Sequence, residues 1–245
     1  MVKSCLKILS FTVLLVIVSC QSMSSILNLN STENQAVELG NIGYSENFFF
    51  EDGFENIAIA KFNNPIKVSV LLADFKKTDF KKYLETKTSQ SSKIEVKYVD
   101  SLKIKPQYAI ITITDKVSII DALSTSENST LKELLTYQNQ SEIITSISAA
   151  LNQDQIKQII SADEAFLVAS GIKSYALQLY IDKQPKQLIK FNEMVVFDYK
   201  SSCMCWQENT QRQLKIVDLV ENSDCPKDTY KSAKRAKKKI DYFKF

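Results

Sequence analysis

Only four glycines, at positions 40, 43, 53 and 171, and four prolines punctuate the 245 residues, and histidine is absent altogether. Loops that cradle phosphate or present a nucleophile at a sharp turn need glycine where the backbone takes positive φ or approaches a ligand closely. This chain has little to build them from. Without histidine there is no Ser-His-Asp or Cys-His nucleophile pair, no imidazole acid-base chemistry and no His-ligated zinc. Carboxylate-only chemistry stays open, but no Asp/Glu spacing singles out a catalytic pair. Hydrophobic content of 44% and charged content of 24% are those of a folded chain. The balance favours binding or assembly over catalysis.

The first twenty residues have the order of an export signal. Lys3 and Lys7 precede an apolar run from Ile8 to Val18, broken by Ser10 and Thr12, which ends in Ile17-Val18-Ser19-Cys20. The run falls short of the twenty or so apolar residues needed to cross a bilayer. Its ending resembles the lipobox of bacterial lipoproteins. That resemblance implies cleavage before Cys20, a diacylglycerol thioether on its sulfur, an acylated amine and a cell-envelope location. Gln21, directly after the cysteine, resembles lipoproteins sent to the outer membrane rather than those held back by Asp. Plain secretion, with a cut after Ser22, is the competing reading.

Residues 1–19 then form the signal, and 20–45 a Ser-, Asn- and Gln-rich tether with a reach of roughly 25 Å. Residues 46–225 form the globular part and 226–245 a basic tail. A division of the globular part into two domains, if there is one, falls at the polar stretch 124–129. The apolar cluster at 47–53 is an early strand or a loop plugging the core. Ile57 to Phe62 and Ile66 to Ala73 read as a hairpin turning at Asn63-Asn64-Pro65. A helix is expected over about 75–87, with Phe80, Tyr83 and Leu84 inward and lysines 76, 77, 81 and 82 outward. Strands follow at about 93–99 and 107–114.

The middle reads as helical. Thr130 to Glu133 has the capping-box pattern, ahead of Leu131, Leu134 and Leu135. Ser141 is positioned to cap a helix carrying Ile143, Ile144, Ile147 and Leu151, and Asn152 to Gln155 to cap another carrying Ile156, Ile159 and Ile160. Ser161 to Ala169 is either a further helix start or a buried strand. Alternation at Tyr175, Leu177, Leu179 and Ile181 opens a β-meander continued by 188–199, 203–208 and 214–220. Strands, then helices, then strands define an α+β fold. No internal repeat is visible, and the three N-x-S/T sequons are about what this composition yields by chance.

Cys203-Met204-Cys205 and Cys225 form the richest constellation. On a strand Cys203 and Cys205 share a face with their α-carbons about 6.6 Å apart, close to the limit for a disulfide. In an oxidising compartment either Cys203 or Cys205 is therefore expected to bridge Cys225. The alternative is a Cu(I) site of two thiolates and a thioether, although alternation sends Met204 to the opposite face. Trp206, sharing that face, reads as core.

From Pro226 onward eight Lys/Arg stand against two Asp/Glu, a local +6 in a chain whose total is +3. A frayed, solvated terminus is one reading of this tail; as a helix, it would align Tyr230, Ala233, Ala236 or Lys237, Ile240 and Phe243 on one side. Lys231, Lys234, Arg235, Lys237, Lys238 and Lys239 would face an anionic lipid surface or lipopolysaccharide. Nothing in it offers base readout, so nucleic acid is not expected as a partner. Together these features describe a lipid-anchored envelope protein that binds a ligand or an envelope protein, with no cofactor or resident metal. Its alternatives are a carboxylate-dependent enzyme acting on a polymer or sugar, and a Cu(I)-binding protein working through Cys203 and Cys205.

Overall fold

The computed structural model describes residues 37–47, 52–90, 93–138, 140–171, 174–221 and 223–237. The apolar cluster at 47–53 therefore lies largely outside the described residues. The fold is α+β, with helices packed on a large antiparallel sheet. Its strands are β1 (Asn41–Asn47), β2 (Asp52–Ile59), β3 (Ile66–Asp74), β4 (Gln107–Ile113) and β5 (Glu142–Ala150), then β6 (Glu164–Gly171), β7 (Ser174–Ile181), β8 (Gln184–Lys190), β9 (Val195–Glu208) and β10 (Leu214–Val220). The helices are α1 (Lys77–Ser89), α2 (Lys116–Ser124), α3 (Ser129–Tyr137), α4 (Gln153–Ser161) and the short α5 (Ala233–Ala236). The sheet runs β10-β9-β5-β4-β3-β6-β7-β8, and β1 pairs with both β2 and the start of β5.

The central strand β5 is the largest departure from the periodicity. Ile143, Ile144, Ile147 and Leu151 fall at helical spacing, yet Glu142–Ala150 is a strand buried on both faces between β9 and β4. A strand covered on both sides shows a continuous apolar run instead of alternation, which is indistinguishable from a buried helix by period alone. Its β-branched content, Ile143, Ile144, Thr145 and Ile147, is what favours the strand. Ser161 to Ala169 resolves the same way, into the end of α4 and strand β6. Helix α4 itself begins where expected. Asn152 accepts from the Gln155 amide at 2.8 Å, and the Gln155 side chain accepts from the Asn152 amide at 3.0 Å.

The expected hairpin between 57 and 73 does not form. β2 pairs with β1, whereas β3 pairs with β4 and β6. Side chains hold the link between them away from a hairpin turn. The Tyr175 hydroxyl donates to the Ala60 carbonyl and accepts from the Phe62 amide, while Asn128 accepts from the Lys61 amide at 2.9 Å and donates to its carbonyl at 2.8 Å. Asn128 is buried, so the polar stretch 124–129 acts as a clasp, and the described residues belong to one compact unit. The folded part also starts earlier than the tether boundary at 45 suggests, because Leu39 and Ile42 are fully buried. At Gly43, where β1 passes against β2, an added Cβ would lie 1.8 Å from the Glu55 carbonyl oxygen. Only glycine fits there.

The sheet buries both faces. On one, Ile111, Ile147, Leu167, Leu177, Met204 and Trp206 meet residues of α2, α3 and α4. On the other, Phe75, Tyr108 and Phe197 form an aromatic cluster with ring centroids 4.9 to 5.4 Å apart, closed over by Tyr83 of α1. Residues 93–99, expected as a strand, are not paired into the sheet. Instead the Tyr83 hydroxyl donates to the Ile94 carbonyl at 2.7 Å and accepts from the Val96 amide at 3.2 Å. The run 188–199 is likewise broken, by a short 3₁₀ turn at Phe191–Glu193, and β9 leaves β8 to join β5.

Replacing Ile147 with Ala should cost about 2–4 kcal/mol in urea unfolding, since the site is enclosed on both faces. A loss under about 1 kcal/mol would contradict a central buried strand. At the start of α2, Asp115 accepts from the Ser118 amide at 3.0 Å and from its hydroxyl at 2.6 Å, and these bonds hold its carboxyl below the ordinary range. A lowered folded-state value adds stability above the unfolded value, near pH 4, that is lost as pH falls through the folded one. Asp115→Ala should therefore cost about 1 kcal/mol at pH 7. In thermal melts the difference from the parent should shrink as pH drops below about 4.

Candidate functional site: a cationic groove clasped to the end of the sheet

β9 and β10 run antiparallel, with Glu208 opposite Leu214 and Cys203 opposite Val220. Beyond Val220 the chain turns back along the other edge of β9 and is fastened there twice. Cys205 and Cys225 form a disulfide with α-carbons 5.6 Å apart. Five residues on, Tyr230 makes a β-bridge to Trp206, with the Trp206 amide donating to the Tyr230 carbonyl at 2.7 Å and the Tyr230 amide to the Trp206 carbonyl at 2.9 Å. Of the two pairings left open by the sequence, Cys205 is thus the partner of Cys225. Closing a loop with this separation of 20 residues is worth about 3 kcal/mol in the chain-entropy account.

Of the tail beyond Tyr230, residues 231–237 are described. Helix α5 is one turn, and Ala233 and Ala236 are buried against β9 and α3. The two alanines of α5 are therefore turned into the protein. The cations stay outside. Lys234, Arg235 and Lys237 are exposed along a broad open groove that Gln207, Asp224 and Thr229 also line. Lys231, half-buried, lies 3.9 Å from Asp224, and Glu208 pairs with Arg212 at 3.1 Å. No ion pair to Lys234, Arg235 or Lys237 is seen among the described residues. The sequence-predicted Lys231, Lys234, Arg235 and Lys237 are thus gathered on one scaffold; Lys238, Lys239, Cys20 and the lipobox Ile17 to Cys20 lie outside the described residues.

The sulfur constellation does not converge. Met204 is fully buried on the core side with Trp206, Cys205 is in the disulfide, and Cys203 keeps a free, half-buried thiol. The two-thiolate and thioether set for Cu(I) is therefore not assembled. No group of three or more Cys, Asp or Glu side chains is placed to hold a metal among the described residues.

The sequence gives no warning of what surrounds Cys203. Glu142, opposite it on β5, accepts from Ser45 at 2.8 Å and from Ser201 at 2.6 Å, and its other oxygen lies 3.7 Å from the Cys203 sulfur. These residues come from β1, β5 and β9, and only strand register brings them together. Burial, then the Glu142 charge, raises the affinity of this thiol for its proton, and Lys231 partly opposes them.

No protein-family profile, no curated protein and no solved structure matches the chain.

With Cys5 and Cys20 both replaced by Ser, Cys203 is the one cysteine outside the Cys205–Cys225 disulfide, so alkylation by iodoacetamide reports on it alone. Glu142→Gln should lower the pH midpoint of the alkylation rate, and Lys231→Ala should raise it. An unchanged midpoint in the Glu142 variant would show that this carboxylate does not act on the thiol.

Proposed function

We propose that the chain is a lipid-anchored protein of the bacterial cell envelope that works as a binding module, and that the groove beside α5 takes the phosphate or carboxylate of an anionic envelope molecule. The location rests on the charged, apolar and small order of residues 1–19 and the lipobox ending at Cys20. The observation that carries the binding role is the exposed trio Lys234, Arg235 and Lys237, on a segment fixed to β9 by a disulfide and a two-bond bridge. Cations held on a rigid support lose less freedom on meeting an anion than cations on a frayed end. Lipopolysaccharide phosphates are one source of such a ligand, with the outer membrane the location that Gln21 favours.

Two measurements separate the parts of this reading. Radiolabelled palmitate should enter the parent and fail to enter a Cys20→Ser variant; absence of label from the parent would end the anchor. The triple variant K234E/R235E/K237E should bind lipopolysaccharide aggregates about a hundredfold more weakly than the parent, at about 1 kcal/mol per cation beside an anionic surface. Equal binding by both would remove the groove as the site.

A further inference from the structure

Between the aromatic cluster and β4 the chain runs through a loop, 99–105, that exposes three aliphatic side chains in six residues: Ile104 at 89%, Val99 at 55% and Leu102 at 41%. Exposed aliphatic residues scattered singly are ordinary, but three on one short loop are not. The one backbone hydrogen bond within the loop is the turn from the Leu102 amide to the Val99 carbonyl, 3.1 Å. Lysines surround the aliphatic tips. Lys93, Lys97 and Lys103 are exposed, and Lys105 reaches Asp100 at 3.8 Å and packs over the Tyr98 ring. Apolar tips interleaved with long cationic side chains match the two halves of an interfacial lipid layer, acyl chain and anionic headgroup.

The position of the loop fits that role. It leads into β4, whose Ala109 pairs with Ala149 near the end of β5, whereas the cationic groove adjoins Cys203 and Trp206, at the Glu142 end of β5. The nine residues of β5 put the two features about 30 Å apart. The residues from Cys20 to Ala36 span at most roughly 55 Å when extended, which is enough to reach a lipid on the loop side.

We infer that loop 99–105 is a membrane-contacting surface, with Val99, Leu102 and Ile104 entering the interface of an anionic bilayer and Lys97 and Lys103 meeting its headgroups. The contact stands on the loop and does not rest on the lipid-anchor reading. The test uses the mature chain with Cys20→Ser, so that no acyl chain contributes, and co-sedimentation with vesicles of phosphatidylcholine alone or with one-third phosphatidylglycerol. The chain should partition onto the anionic vesicles, less so at higher salt. L102S/I104S should lower the partition coefficient about tenfold. Val117→Ser, which removes an aliphatic side chain 68% exposed at the start of α2, should leave it unchanged. No binding to anionic vesicles, or equal binding by the parent and L102S/I104S, overturns the inference. A loss in Val117→Ser as large as that in L102S/I104S would show that the contact is not particular to the loop and overturn it as well. Palmitate labelling reads the anchor separately, so either result can fail without the other.

Discussion

Strand β5 is the piece on which the other contacts depend. One of its edges takes β9 along its whole length, and the other is shared between β4 and the first residues of β1. Side chains on both its faces are buried, among them Ile143, Ile144, Ile147 and Ala150. Its partners lie far off in sequence on either side, so its hydrogen bonds are long-range ones that close only when most of the chain is in place. The same register brings Glu142 to Ser45, Ser201 and Cys203 and ends at the Trp206 bridge. The polar cluster and the groove are therefore consequences of how β5 is seated.

The tail is held by covalent and backbone bonds more than by its own packing. α5 buries only two alanines, too little apolar area to keep a one-turn helix in place. The Cys205–Cys225 bridge and the Tyr230–Trp206 pair supply what the helix cannot. The result is an array of cations whose positions follow from β9. Beside it Cys203 keeps a free thiol whose pKa burial and then the Glu142 charge push up, its sulfur against a carboxylate that is itself held by two hydroxyls.

How much of this was legible in the sequence depended on whether an element answers to its own residues or to its partners. Helices α1 and α4 are readable because amphipathic spacing and the Asn152 and Gln155 cap are local, although Leu84, expected inward on α1, is 49% exposed. Strands with one wet face, such as β3 and β7, showed their alternation. In β5 burial on both faces erases that alternation and leaves a helical period, and the hairpin pattern at 57–73 gives way because Tyr175 and Asn128, distant in sequence, bind the link. The stretch 93–99 has strand composition, but Tyr83 takes its hydrogen bonds before a neighbouring strand can. At the site, cysteine spacing narrowed the disulfide to two pairings and charge counting found the cations. The Glu142 cluster was invisible, since none of its members is near another in sequence except Ser201 and Cys203.

The account turns on the tail being part of the sheet rather than an appendage. Amide hydrogen exchange at Tyr230 and Trp206 in the oxidised protein reads this directly. Both amides should exchange slowly, within the range of the β9 and β10 amides that pair with each other. Exchange of the Tyr230 amide at the rate of an unstructured terminus would mean that the groove is not built.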